Sequence, residues 1–337
     1  MKAIAIVAPG CARVIDVADV TPAEGEAWLR IRRIGLCGTD LNTFRGRNPM
    51  VTYPRILGHE VAATLEAATP SYAAGTDVTV SPYTSCGSCP SCPSCRSGRV
   101  NACQFNQTLG LQRDGALRER FAVAPEKLYA ADLSLEELCL VEPLTVGFHA
   151  VARGRVQASD TVAVFGCGAV GLGAISGAAF VGARVVAIDR DDEKLAIARK
   201  AGATETIHSG NEDLHGRLRA LTGGCGPECT IEAIGLPETF RAAVDEVAFA
   251  GRVVYVGYAK ELVSYETRLF VQKELEIFGS RNALPEDFAE VIRMLELKRF
   301  PVAEAVSAVV SMEETPEVLR EWSESPQRFT KIMVRVS

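Results

Sequence analysis

A glycine motif between a strand pattern and a helix pattern constrains the fold more than any other feature of this 337-residue chain. The β-branched run Thr161–Phe165 leads directly into Gly166-x-Gly168-x-x-Gly171, which opens a helical pattern over residues 169–181. Further β-branched runs follow at 184–188, 205–207, 229–234, 252–256 and 275–278, with helical patterns at 191–202, 212–222 and 237–249. Such alternation predicts an α/β domain in which a doubly wound parallel sheet carries helices on both faces.

The same motif predicts a dinucleotide site. Gly166 permits a tight turn, Gly168 lets a pyrophosphate approach backbone N–H groups, and Gly171 allows the helix to pack closely on the strand. Asp189 stands about twenty residues further on, where the fingerprint needs an acid to bind the adenosine ribose. Its charge would repel a 2′-phosphate, which favours NAD over NADP, although Arg190 could offset that repulsion. A glycine-rich packing turn without a ligand is the alternative. The predicted cofactor contacts also include Val170, Ala233, Gly235 and Val256.

A cluster of cysteines predicts a metal site. Two, two and seven residues separate Cys89, Cys92, Cys95 and Cys103. At this spacing four thiolates can enclose one tetrahedral zinc ion, and they leave no position for a substrate. The site is therefore expected to brace a loop. Cys86 precedes the cluster at the same spacing, so five thiols compete for four positions.

A second set of potential ligands predicts a zinc ion with an open position. Cys37 supplies a thiolate, His59 an imidazole, and Glu60 and Glu142 are the carboxylate candidates. A catalytic zinc takes about three protein ligands and keeps one position free. Glu142 stands among apolar residues, where coordination would offset the cost of burying a carboxylate. A capping carboxylate at a helix start is the alternative for Glu142.

Two polar residues directly after Cys37 are candidates to assist this metal. The Thr39 hydroxyl could reach an alcohol at the open zinc position. Asp40 could orient a zinc-bound imidazole, or it could serve only in a turn.

Composition limits the remaining classes of function. The chain is 47% hydrophobic and 23% charged, with a net charge of −6, which is typical of a globular protein and disfavours a nucleic-acid partner. Its length favours two domains, and residues 1 to about 130 have a strand-and-turn pattern. No apolar run reaches the length of a bilayer span, and the first residues do not look like a signal peptide, so no membrane partner is predicted. Clustered cysteines without an export signal favour metal thiolates and the cytoplasm.

Together these motifs resemble the zinc-containing medium-chain dehydrogenase/reductase family. The matching segments are Gly35–Asp40, Ile56–Glu60, the cysteine cluster with Cys95–Arg99, Val141–Leu144, the glycine motif and Gly279–Phe288. Within the family the chain is similar to the polyol and sugar-acid branch. The resemblance implies a GroES-like β-rich catalytic domain over residues 1–146 and 280–337, with a structural zinc lobe at 86–103. It also implies a Rossmann coenzyme domain over 147–279.

The activity implied by the resemblance is oxidation of a secondary alcohol of a polyol or an L-galactonate-like sugar acid. One zinc, held by Cys37, His59 and either glutamate, would bind the alcohol oxygen while hydride passes to NAD. The proton would leave through Thr39, and a second zinc would be structural. Arg281 could pair with a substrate carboxylate, or it could be only a surface ion pair. The family usually forms dimers or tetramers, so a homodimer or homotetramer is expected.

The chain departs from the family pattern at two places. Asn42 stands where the family commonly has a histidine that relays the proton, and an amide cannot titrate near neutrality. The Cys-Pro-Ser repeat is doubled, and the seven-residue gap to Cys103 then makes Cys86 the surplus, unligated thiol. The alternatives are a simple alcohol dehydrogenase, a threonine-type dehydrogenase, and an inactive NAD-binding regulatory protein.

Overall fold

The protein forms two compact units in a computed structural model that describes residues 1–19, 21–87 and 92–337. The first unit comprises Met1–Glu142 and Val302–Ser337, and the second comprises Pro143–Pro301. In the part of the chain described, no helix combines the length and hydropathy needed to cross a bilayer.

The elements follow one another in chain order. In the first part they are β1 (Lys2–Ala8), β2 (Cys11–Asp16), β3 (Ala27–Leu36), α1 (Gly38–Phe44), β4 (Arg55–Ile56), β5 (Glu60–Leu65), β6 (Asp77–Val80), β7 (Tyr83–Thr84), α2 (Pro93–Arg96), β8 (Gln107–Thr108), β9 (Arg120–Val123), β10 (Leu128–Ala130) and α3 (Leu135–Arg153). From residue 161 onward they are β11 (Thr161–Phe165), α4 (Ala169–Val181), β12 (Arg184–Asp189), α5 (Asp192–Lys200), β13 (Glu205–His208), α6 (Leu214–Leu221), β14 (Cys229–Glu232), α7 (Pro237–Glu246), β15 (Arg252–Tyr255), α8 (Arg268–Gln272), β16 (Glu276–Gly279), α9 (Pro285–Glu296), α10 (Val302–Ala305), β17 (Ala308–Ser311), α11 (Thr315–Glu324) and β18 (Ile332–Arg335).

The first unit is built on largely antiparallel sheets. The larger has the strand order β10-β6-β5-β3-β18-β17, with β9 also paired to β3, and a smaller sheet has the order β2-β1-β4. Strand β18, close to the end of the chain, pairs antiparallel with β3 and parallel with β17. Its Ile332 and Val334 join the buried core around Leu29 and Ile34. This late strand therefore brings the last residues of the chain beside the end of β3.

The second unit is a parallel sheet with the strand order β13-β12-β11-β14-β15-β16. The order reverses direction beside β11, as in a doubly wound dinucleotide-binding fold, and ligands bind at the carboxyl ends of the strands there. The predicted fold class is confirmed by this sheet and by the β-rich first unit.

The division between the units differs from the domain bounds predicted from the sequence. The prediction assigned residues 280–337 to the first domain, whereas residues 280–301 group with the second unit. Helix α9 explains the difference, because its Phe288 and Met294 are almost fully buried. On the same helix, Asp287 Oδ2 lies 2.9 Å from His149 Nδ1 of α3.

Candidate metal centres and dinucleotide site

Cys37 and His59 meet at the start of helix α1. Cys37 is the N-cap of this helix, and its Sγ accepts a hydrogen bond from Thr39 N at 3.2 Å. Asp40 Oδ2 completes the cap by accepting from Cys37 N at 2.9 Å. His59 directly precedes β5, and its Nε2 lies 3.0 Å from Cys37 Sγ. The Cys37 sulfur and the imidazole are therefore in direct contact.

Two buried carboxylates face the same imidazole. Glu60 and Glu142 are 1% and 4% exposed. One oxygen of each lies within 4.8 Å of the other and of a His59 ring nitrogen, so both can reach one ion. Tyr83 OH donates a short hydrogen bond to Glu142 Oε1. Burial raises the pKa of the Glu142 carboxyl to about 7, and His59 opposes that shift. Tyr83 was not singled out by sequence reasoning.

Lys331 is the partner of Glu60, and sequence reasoning also missed it. Its Nζ lies 2.6 Å from both Glu60 carboxylate oxygens and donates to Leu36 O at 3.2 Å. Burial alone would lower the pKa of Lys331, but Glu60 outweighs burial and raises it. The two residues are 271 positions apart, so no local spacing could have indicated the pair.

The surroundings of His59 favour a positive charge. Its Nδ1 lies 3.9 Å from Asp40 Oδ1, and among the described residues neither buried atom has a hydrogen-bond partner. Burial lowers the pKa of His59, but the Cys37 thiolate and the Asp40 carboxylate outweigh it and hold the pKa well above its ordinary value. A divalent cation would supply the positive charge that this site favours. Sulfur, imidazole nitrogen and carboxylate oxygen are the ligands that zinc prefers, so the residues fit that ion.

The two residues predicted to handle the proton lie on α1. Thr39 is in its first turn, and its carbonyl oxygen accepts from Thr43 Oγ1 at 3.0 Å. Asn42 is half-buried one turn later. Arg281 belongs to the other unit, between β16 and α9. The roles of these residues toward a substrate stay predictions.

The cysteine cluster is assembled by a short hairpin. Strand β7 pairs antiparallel with β8, which brings Cys86, just after β7, next to Cys103, just before β8. Cys86 Sγ lies 3.5 Å from the sulfurs of Cys95 and Cys103, and Cys92 Sγ lies 3.9 Å from that of Cys103. A tetrahedral zinc with Zn–S bonds of about 2.3 Å holds its sulfurs about 3.8 Å apart. These four sulfurs therefore fit one zinc ion.

The structure groups Cys86, the surplus thiol in the prediction from spacing, with the other described cysteines of the cluster. Its sulfur belongs to the cluster of Cys86, Cys92, Cys95 and Cys103, all within 4.8 Å of one another. The physical reason is the hairpin register, which also directs Cys86 N toward Cys103 Sγ at 3.4 Å. Cys89, the fourth ligand predicted from spacing, lies outside the described residues. The Ser94 hydroxyl, 3.1 Å from Cys92 Sγ, lowers the pKa of that thiol to about 5, which favours the thiolate needed for binding.

The glycine motif adopts the turn that its sequence predicts. Gly166 has φ of +98°, and Gly168 is the N-cap of α4 with open space where a Cβ would project. A Cβ on Gly171 would lie 1.8 Å from Gly166 O, so only glycine permits this close packing. Asp189 ends β12, and its Oδ2 accepts from Cys167 N at 2.7 Å. The acid predicted to bind a ribose thus lies beside the loop predicted to bind a pyrophosphate.

The other predicted cofactor contacts lie near the same edge of the sheet. Val170 is in the first turn of α4, Ala233 and Gly235 follow β14, and Val256 follows β15. Arg190, directly after β12, is exposed. Sequence reasoning missed Glu232, a buried acid whose Oε1 accepts from Gly235 N at 2.8 Å and so fixes the turn after β14.

Comparison with known proteins matches both parts of the chain. The family described as alcohol dehydrogenase GroES-like domain matches residues 23–132, and the family described as zinc-binding dehydrogenase matches residues 169–296. L-galactonate-5-dehydrogenase of Escherichia coli strain K12 is 34% identical over 278 residues, 81% of each chain. The solved structure of galactitol-1-phosphate dehydrogenase from Escherichia coli has a TM-score of 0.91 and 26% identity over 100% of both chains. That of the rspB alcohol dehydrogenase from Escherichia coli CFT073, complexed with NADH, has a TM-score of 0.90 and 27% identity, covering 100% of this chain and 99% of its own.

Proposed function

Because the chain belongs to the zinc-containing medium-chain alcohol dehydrogenase family, we propose that it oxidises a secondary alcohol of a polyol or sugar acid, with NAD as hydride acceptor. The observation that carries this proposal is that His59 has Cys37 on one side, with Nε2 3.0 Å from the sulfur, and an oxygen of each of the buried Glu60 and Glu142 carboxylates within 4.8 Å of a ring nitrogen. The likeness to L-galactonate-5-dehydrogenase and to galactitol-1-phosphate dehydrogenase supports a substrate with several hydroxyl groups.

In the proposed active site, Cys37 and His59 hold a zinc ion together with Glu60 or Glu142. When bound, zinc supplies Lewis-acid chemistry at the alcohol oxygen. Asp40 faces the far nitrogen of the imidazole and keeps Nε2 directed at Cys37. The Thr39 hydroxyl relays the substrate proton, since it accepts that proton and gives its own to a water. In the step after Thr39, Asn42 can hold a water by hydrogen bonds but cannot carry the proton itself, since its amide does not titrate.

A second zinc ion in the cysteine cluster completes the proposed metal content. Its ligands are Cys86, Cys92, Cys95 and Cys103, whose sulfur spacing matches a tetrahedral site. Four thiolates leave no position for a substrate, so this ion fixes the connection between β7 and β8.

The choice of NAD rests on Asp189, whose carboxylate would accept from the ribose hydroxyls and repel a 2′-phosphate. We expect Asp189→Ser to lower kcat/KM for NAD about 10- to 100-fold, the cost of losing a hydrogen bond to a charged group, while kcat/KM for NADP holds or rises. Asp192→Asn is the matched control, because it removes an exposed acid three residues away. An unchanged NAD-to-NADP ratio in Asp189→Ser would contradict the assignment.

A substrate panel tests the proposed activity directly. The purified enzyme is assayed for NAD reduction with acyclic polyols, aldonic acids and phosphorylated polyols, beside simple alcohols and threonine. Highest kcat/KM on a polyol or aldonic acid supports the proposal. A higher kcat/KM on a simple alcohol or on threonine would assign the enzyme to another branch of the family. NAD binding without turnover of any compound would favour an inactive regulatory protein.

A homodimer or homotetramer is also proposed, and the edge strand β16 supports it. In the described part of the sheet this strand pairs with β15 alone, and its Ile277 is 40% exposed. An exposed edge strand with an apolar side chain can pair with a second copy of the chain. Light scattering on the purified protein measures the mass and decides the question.

A further inference from the structure

We propose that Arg45, Arg47 and Ser323 form a binding site for a phosphate group, either that of inorganic phosphate or that of a small phosphate monoester. The site is an open pocket of about 510 Å³ in the first unit. Its lining residues are Pro9, Gly10, Phe44, Arg45, Arg47 and Ser323. None of these six residues belongs to the proposed metal sites or to the dinucleotide site, so the inference is independent of the proposed function.

The end of helix α1 brings the two arginines to the same pocket. Gly46, just past the helix, has φ of +70°, and its N–H donates to Thr43 O at 3.1 Å. The next N–H, that of Arg47, donates to Asn42 O at 2.8 Å, which completes a Schellman motif. A Cβ at position 46 would lie 2.9 Å from a carbon of Pro9, so the turn also needs glycine for space. The chain therefore reverses directly between the two arginines.

The guanidinium of Arg45 is held in place by helix α11. Its Nε donates to Ser323 Oγ at 3.0 Å, and its Nη2 donates to Ser323 O in a shorter bond. These bonds use two of the five N–H donors of a guanidinium, so three remain for a ligand. The Ser323 hydroxyl accepts one of the two bonds and can still donate its own proton. A ligand would thus meet donors that are already fixed.

The pocket concentrates positive charge in a chain whose net charge is −6. Two of its six lining residues are arginines, and none of the six is an acid. The pKa of the Arg45 guanidinium is lowered first by burial and then by the charge of Arg47. An anion bound by both groups would offset their repulsion.

Phosphate is the anion that matches these donors best. The planar fork of a guanidinium fits two phosphate oxygens at once. A phosphate monoester carries a charge of about −1.5 to −2 near neutral pH, which two arginines balance. Pockets for small molecules commonly measure about 300–1,000 Å³, so this pocket can also hold the organic part of a small monoester.

The pocket is separate from the proposed active site. Arg45 is the eighth residue after Cys37. At a rise of about 1.5 Å per residue, the two residues are about 12 Å apart along α1. The phosphate site would therefore be a second site on the catalytic unit.

Isothermal titration calorimetry with inorganic phosphate and with glucose 6-phosphate tests the proposal. The protein is first saturated with NADH, so that phosphate cannot enter the predicted pyrophosphate site, and 0.15 M NaCl screens weak surface binding. We expect one phosphate group to bind per chain. In Arg47→Gln the affinity should fall about tenfold, as expected for the loss of a charged hydrogen bond. Glucose, which lacks the phosphate, should not bind in a way that depends on Arg47.

Arg241→Gln is the matched control, because it removes an exposed arginine of the other unit and changes the net charge equally. It should keep the wild-type affinity. Tighter binding of glucose 6-phosphate than of phosphate would assign the site to monoesters, whereas equal or weaker binding would assign it to inorganic phosphate. The inference would be overturned if the wild type bound neither ligand or if Arg47→Gln bound as tightly as the wild type. An equal loss of affinity in Arg47→Gln and Arg241→Gln would also overturn it, because net charge alone would then explain binding. Arg47 is exposed, so Arg47→Gln should unfold at the wild-type temperature.

Discussion

Replacing Cys86 with serine should remove one zinc ion per chain, whereas replacing Cys89 with serine should leave the zinc content unchanged. The sulfur of Cys86 lies 3.5 Å from those of Cys95 and Cys103, the spacing of thiolates around a common ion. Structural zinc ions in small zinc-binding peptides contribute on the order of 10 kcal/mol of apparent binding free energy. Thermal unfolding of Cys86→Ser should therefore begin at a clearly lower temperature. Elemental analysis of each purified variant measures the zinc count.

Cys225→Ser is the control for thiol substitution, since Cys225 is exposed and lies in the other unit. It should keep the zinc content and thermal stability of the wild type. The opposite pattern, in which Cys89→Ser loses one zinc and Cys86→Ser keeps both, would restore the assignment made from cysteine spacing alone.

Spacing alone could not identify the ligands among five cysteines, because the choice depends on a contact between segments. The seven-residue gap between Cys95 and Cys103 predicts that the ligands are Cys103 and the three cysteines nearest to it in sequence. Cys86 is the fourth cysteine back, so this prediction leaves it out. The register of β7 and β8 brings Cys86 back to Cys103 in space. A two-strand register is set by turn geometry and by packing of neighbouring segments, and a repeated Cys-Pro-Ser sequence specifies it weakly.

Sequence reasoning succeeded where one local segment carries the whole signal. The strand, the glycine turn and the helix at 161–181 follow directly from β-branched residues and glycines, and the structure has β11 and α4 there. The acid is equally local, because Asp189 ends the next strand, β12, as predicted. Its contact with a ribose stays a prediction. Such motifs fold alike wherever they occur because the backbone conformation is set within a few residues.

The same reasoning failed for partners that come from distant parts of the chain. Lys331 and Tyr83 each hold one of the two glutamates that face His59, yet neither belongs to a recognisable motif. Their placement depends on the insertion of β18 beside β3 and on the hairpin after β6. The sequence prediction also assigned α9 to the first domain, whereas the helix groups with the second unit. Its sequence predicts a buried face but does not indicate which core that face contacts.

Replacing Cys37 with serine should lower kcat by about a thousandfold, equivalent to roughly 4 kcal/mol of transition-state stabilisation. The substitution removes the soft ligand of the proposed catalytic zinc, and a neutral hydroxyl is a poor substitute for a thiolate. The glycine motif and Asp189 belong to the other unit, so NADH should bind with unchanged affinity. Steady-state kinetics measures the first effect, and the fluorescence of bound NADH measures the second.

Cys11→Ser provides the matched control, because Cys11 is a half-buried thiol of the same unit on strand β2. Its turnover and NADH affinity should both equal those of the wild type. Cys37→Ser with full turnover would show that the chemistry does not need a metal ligand at this position, and the proposed mechanism would fail. Loss of NADH binding together with turnover would point instead to a folding defect. The prediction is therefore specific: turnover is lost, the cofactor stays bound, and one zinc ion per chain is missing while the ion of the cysteine cluster remains.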